Sequence, residues 1–103
     1  MSDRVLFQDV IPYDVPSSLA ELRGPASGWM LLPHSIYWGP EPAMNLDAVD
    51  DRSMAYQAIV REGTAAQQAE LLNAGLLLGL WPSLRLPARC RAAWESRFPE
   101  LAV

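Results

Sequence analysis

A chain of 103 residues, half of them apolar, with 12 acidic against eight basic side chains and a formal net charge of −4, has material for a single hydrophobic core and one domain. One cysteine, Cys90, cannot close an internal disulfide, and one histidine, His34, leaves too few soft ligands for zinc, so no metal or other cofactor is expected. No apolar run reaches the roughly 18 residues of a membrane span, and Met1 to Asp9 shows neither a basic leader nor an apolar signal stretch, which makes a cytoplasmic address the expectation.

Proline divides the chain. Six of the nine prolines (Pro12, Pro16, Pro25, Pro33, Pro40 and Pro42) lie before residue 46, where they suit extended segments and turns but not helix interiors or central strands. Within this front half, Ser17 to Gly24 has the form of one short helix, with Ser17 or Ser18 as its N-cap and Gly24 as its stop. Trp29 to Trp38, bounded by Gly28 and Gly39, is rich in strand formers and reads as one extended strand, or as two short ones broken near Pro33.

From Asp47 the hydrophobic period changes. Val49, Ser53, Tyr56, Ile59 and Val60 recur at helical spacing, with Asp50 and Asp51 in the opening turn and Gly63 at the close, which predicts a helix near 48–62. Thr64 to Gln67 is a capping box that starts a second helix near 65–80, with Leu71, Leu72, Leu76 and Leu80 as its apolar stripe and Gly75 as a kink or an end. Pro82 stops that helix near Trp81, and Pro87 opens a third, near 87–97, whose Cys90, Trp94 and Phe98 share one face up to Pro99. The expected fold is therefore mainly α with a small N-terminal β element: an extended region over 1–46, a region of about three helices over 47–103, and one domain in all.

The search for chemistry is nearly empty. The six glycines never assemble a phosphate-binding loop. Arg89 and Arg91 flank Cys90, but neighbours at i±1 point elsewhere on a helix, and Cys90 itself lies on the Trp94/Phe98 stripe, so a core cysteine is expected. His34 has no nearby carboxylate or nucleophile and reads as a turn histidine. Asp47, Asp50 and Asp51 lack the alternating ligands and central glycine of a calcium loop and read as helix-opening charges. No enzyme is expected.

Two features point to binding. Residues 1–51 carry two arginines against eight carboxylates, a net of −6, and residues 52–103 carry six against four, a net of +2. An acidic front half suits a basic partner surface, and the arginines of the rear half suit acidic groups or nucleic acid; internal pairing between the halves is the alternative. Trp29 to Trp38 also packs Trp29, Met30, Leu31, Leu32, Ile36, Tyr37 and Trp38 into ten positions, more than one face of a short strand can bury in so small a domain. This segment fits either core or a partner-binding surface, with Trp29, Leu31, Ile36, Tyr37 and Trp38 as the candidate contacts. Trp81 and Trp94 sit where apolar stripes need large side chains and are assigned to the core.

The series Asn45-Leu-Asp47, Tyr56 to Thr64, Leu78-Gly-Leu-Trp-Pro82, Leu86 to Glu95 and Phe98-Pro-Glu-Leu101, preceded by Leu19-Ala-Glu-Leu-Arg-Gly-Pro-Ala-Ser-Gly28, Leu32-Pro33 and Tyr37-Trp38, resembles a group of small actinobacterial proteins of unknown function. The resemblance spans roughly residues 19–101. Members of that group resemble the antitoxin-side partners of nucleotidyltransferase-like toxins of the abortive-infection class, often encoded beside them. The chain departs from the group at Gly75, where a polar helix former is usual. The resemblance implies a non-enzymatic protein that binds and restrains such a toxin, and it carries no active-site residues. The alternative is a small DNA-binding regulator, in which the helix after Thr64 and the helix after Pro87 mimic a helix-turn-helix, with Arg85, Arg89, Arg91 and Arg97 toward nucleic acid. Against it stand the negative net charge, the absence of Lys and an elbow holding two prolines.

Overall fold

The computed structural model describes residues 13–102. The part of the acidic, proline-rich front before Tyr13, including Asp3, Arg4, Asp9 and Pro12, lies outside the described residues. In chain order the elements are strand β1 (Trp29–Leu31), strand β2 (Ala43–Asn45), helix α1 (Val49–Glu62), helix α2 (Ala65–Leu71), helix α3 (Ala74–Leu80) and helix α4 (Ala88–Arg97), with 3-10 turns at Leu19–Glu21, Trp81–Ser83 and Pro99–Ala102. The described chain is mainly helical with one small antiparallel sheet.

Several boundaries follow from local chemistry. Ser18 caps the first 3-10 turn by accepting from the Ala20 amide at 2.9 Å, but the turn ends after Glu21, so the short helix expected up to Gly24 is a single turn. The capping box at Thr64 is present with both bonds: the Gln67 amide donates to Thr64 Oγ1 at 3.1 Å, and the Thr64 amide donates to Gln67 Oε1 at 2.9 Å. Pro87 stands one residue outside α4, and Cys90, Trp94 and Phe98 are all buried along it.

Two expectations are corrected. The helix expected over 65–80 is two helices, broken at Leu72–Asn73, with Asn73 capping the second through the Leu76 amide at 3.1 Å. The break is enforced from outside. The amides of Arg23 and Gly24 donate to the carbonyls of Ala69 and Leu72, both at 2.8 Å, and the Asn73 amide turns to the Tyr56 hydroxyl at 2.9 Å. The terminal carbonyls of α2 thus find partners across the fold instead of within a longer helix. The buried stripe shifts accordingly, with Leu72 and Leu77 fully buried while Leu71, Leu76 and Leu80 are half-buried.

The second correction is the sheet. Trp29 to Trp38 does not continue as a strand past Leu32: the amides of Ile36 and Tyr37 both fold back onto the Pro33 carbonyl, at 2.9 and 3.0 Å, and make a tight turn. The break near Pro33 is where the sequence put it, but the partner strand is β2, beyond Pro40 and Pro42. β1 and β2 pair with Trp29 opposite Asn45, Met30 opposite Met44 and Leu31 opposite Ala43. Asp51 ties the outer edge of β2 to α1 by accepting from the Asn45 amide at 2.9 Å.

The core lies where these elements meet. Met30 and Met44 enter it from the sheet; Tyr56, Ile59 and Val60 from α1; Leu72, Leu77 and Trp81 from the middle; and Cys90 and Trp94 from α4. Trp94 stacks at 6.0 Å from both Trp81 and Phe98, ring centre to ring centre. Val49, expected on the inner stripe of α1, is 62% exposed at the first position of the helix, and the buried residues of α1 begin at Ala55.

Candidate partner-binding surface

Alternation along β1 sets the first part of the surface. Met30 points inward at 5% exposure, so Trp29 and Leu31 must face away from the core, and they remain 70% and 68% exposed. The hydrogen-bond register sets the second part. The Leu46 amide donates to Gly28 and the Leu32 amide to Pro42, so positions 28, 30 and 32 hold the hydrogen-bonded pairs of the ladder. In an antiparallel ladder the residues between such pairs turn their N–H and C=O outward. Those residues are Trp29 and Leu31. Among the described residues nothing pairs with that outer edge, and the sheet has only these two strands.

The turn after β1 adds the rest. Trp38 is 81% exposed, held edge-on against the His34 ring at 6.0 Å between centres. Open depressions of about 500, 360 and 280 Å³ surround this turn, the first lined by His34, Ser35 and Trp38. Ser35 Oγ is anchored by Gln67 Nε2 at 3.2 Å, which fixes the turn to the start of α2.

The other candidate contacts divide. Ile36 is buried at 5% exposure beside Gly63, so it supports the turn from below and leaves the exposed set. Tyr37 is half-buried, with its ring lying against Gly39, where a β-carbon would collide with it. The surface actually presented is Trp29, Leu31 and Trp38.

The arginines do not form one face. Arg91 reaches back under the elbow, donating to the carbonyls of Trp81 (3.3 Å) and Leu84, lying 5.0 Å over the Trp81 ring, and pairing with Glu95 at 3.7 Å. Glu95 in turn accepts from Trp81 Nε1 at 2.8 Å. Arg91 is thereby a structural residue. Arg89 stands roughly 200° around the helix from it, and Arg97 about 80° from Arg89, while Arg85 precedes α4.

Cys90 is fully buried with its thiol 3.9 Å from the Val60 carbonyl. Burial pushes that thiol up to about 11, outweighing Arg61 and Arg91, which pull it down. It is no nucleophile at neutral pH. Among the described residues no group of three or more His, Cys, Asp or Glu side chains could hold a metal ion, and no helix is long and apolar enough to cross a membrane.

Gln68 was not singled out by the sequence. It is fully buried, and its amide nitrogen reaches the carbonyls of Asp14 and Gly63 at 3.0 Å each, stitching the front segment to the end of α1. The available signal was its place one turn before Leu72, on the buried side of a helix. No protein-family model, curated protein or solved structure matches the chain.

Proposed function

We propose that this protein is a non-enzymatic, antitoxin-like binding protein that restrains a nucleotidyltransferase-type toxin by covering part of it with the surface around β1. The observation that carries the binding role is the exposure of Trp29, Leu31 and Trp38 within one ten-residue segment of a domain that buries its other two tryptophans, Trp81 and Trp94, almost completely. Large apolar side chains left this exposed, on a domain with core enough to bury two other tryptophans, are the kind of surface that partners cover. The class of partner comes from the motif resemblance. Its charge comes from the acidic front half, which favours a basic contact surface and fast encounter more than raw affinity.

The test is co-purification with the product of a neighbouring nucleotidyltransferase-like gene. Trp38→Ala is expected to weaken binding by about 2 kcal/mol, roughly 30-fold, as a central aromatic contact does. Because Trp38 is mostly in water, its loss leaves the free protein nearly as stable as before. Equal binding by the wild type and the double variant Trp29→Ala/Trp38→Ala would refute this reading.

A further inference from the structure

Resting on that reading, the register of the sheet says how the partner is held. We infer that β1 receives an extended segment of the partner protein as an added strand, bonded through the outward N–H and C=O groups of Trp29 and Leu31.

Three observations converge on this mode. The first is the parity of the ladder, which turns both polar groups of Trp29 and both of Leu31 to the same open side. The second is the asymmetry of the two edges. On β2 the outward Asn45 amide is already taken by Asp51, whereas among the described residues β1 has no such cover. The third is the missing protection. Soluble proteins blunt exposed edges with charges, bulges or prolines in the strand, yet no Asp, Glu, Lys or Arg occurs between Arg23 and Glu41, and β1 itself contains no proline.

The edge also defines its occupant. Partner residues opposite Trp29 and Leu31 fall on the same exposed face as those side chains, so they should be β-branched or aromatic, while the residue between them faces the other way. Only about two residues of partner backbone are bonded, too short a contact to hold two copies of this chain together by itself. Two copies, each at −4, also repel. A foreign segment with basic residues flanking its apolar positions avoids the repulsion, because the charge it brings is opposite to that of the front half.

The probe is a synthetic nine-residue peptide with valine at three alternate central positions and lysines at both ends, titrated into the isotope-labelled full chain. In the free protein the amides of Trp29 and Leu31 should exchange rapidly with solvent while those of Leu32 and Leu46 are protected. Adding peptide should shift and protect the first two. A peptide N-methylated at the bonding amides should bind at least about tenfold more weakly, since it keeps the side chains but loses the ladder bonds. Leu31→Pro should weaken binding of the parent peptide similarly, because that N–H serves no bond within the fold; Leu31→Lys, which keeps the backbone, is the second variant if the proline disturbs the strand. Equal affinity for the methylated and parent peptides overturns the added-strand mode. Trp29 and Leu31 amides protected in the free protein, either at all concentrations or increasingly with concentration, overturn it as well, by showing an edge covered from within or by a second copy. A toxin that binds with dependence on Trp38 but indifference to Leu31→Pro removes the added strand and keeps the partner-binding reading. Peptide capture without toxin binding does the reverse.

Discussion

Gly24 offers the sharpest test of how this chain is folded. It is buried where the front segment crosses the junction of α2 and α3, and a β-carbon there would run into the Leu71 carbonyl and lie 2.8 Å from the Leu72 nitrogen. Those are backbone atoms and cannot rotate away, so Gly24→Ala must push the two segments apart. The contacts at risk are the Arg23 amide on Ala69, the Gly24 amide on Leu72 and the weaker Asn73 side-chain bond to the Gly24 carbonyl at 3.4 Å. Losing two buried backbone bonds costs about 1–3 kcal/mol for each group left without a partner. The stiffer unfolded chain of an alanine variant returns about 0.4–1 kcal/mol. The expected net loss is about 2–4 kcal/mol, read as a fall of the urea midpoint by about 1–3 M at unchanged slope. Gly79→Ala is the control: it sits in α3 with nothing within 4 Å of the added carbon, and should stabilise by about 0.5–1 kcal/mol. If Gly24→Ala is as stable as the wild type, the front segment does not clasp the α2–α3 junction as described.

Two further outcomes follow from the core. Trp94→Ala, which empties the space between Trp81 and Phe98, should cost about 3–5 kcal/mol in chemical denaturation, a large part of the about 5–15 kcal/mol available to a domain of this size; a loss below about 1 kcal/mol would contradict its burial. Cys90 should resist alkylation by iodoacetamide at pH 8 until the protein unfolds. Its raised value means the folded state keeps a proton that the unfolded state has released, so stability should decline as pH rises from about 9 to 11, with burial of the Tyr56 hydroxyl acting in the same direction; a stability that is flat across that window would count against both assignments.

What could be read in the sequence was what neighbours in the chain decide. The change of period at Asp47, the Thr64 box, the stop at Pro82 and the Cys90/Trp94/Phe98 face each depend on residues within a turn or two of one another. The break at Leu72–Asn73 was not legible because its causes arrive from Tyr56 and from Arg23 and Gly24, the last bonded to a residue 49 positions away. β2 was invisible for a related reason. Three residues directly after Pro42 carry no period, and they become a strand where Met30 and Met44 enter the core as a pair. The surplus of apolar residues between Trp29 and Trp38 left core and partner-binding surface both open and did not say which members would be exposed. Ile36 sank into the core once the Pro33 turn redirected the chain, and the direction of the Trp29 and Leu31 backbone was fixed by a register no single segment contains.

The arginines of the rear half provide the contrast to this surface. A duplex-binding protein neutralises several phosphates at once, and its affinity falls steeply with salt, with a slope set by that number. Here Arg91 is committed to the Trp81–Leu84 elbow, and on α4 neither Arg89 nor Arg97 shares its face. The connection from α3 to α4 runs from Trp81 to Pro87, longer than the roughly 3–4 residue turn of a helix-turn-helix. Gel-shift titration of the isolated protein with its own upstream region should therefore show no tight complex near physiological salt. Arg91→Ala should instead lower stability, by about 2 kcal/mol for the loss of a charged donor to two carbonyls. A nanomolar complex that weakens with salt and loses affinity in Arg91→Ala, with stability unchanged, would show that the elbow arginine faces nucleic acid and would move the functional surface from β1 to α4.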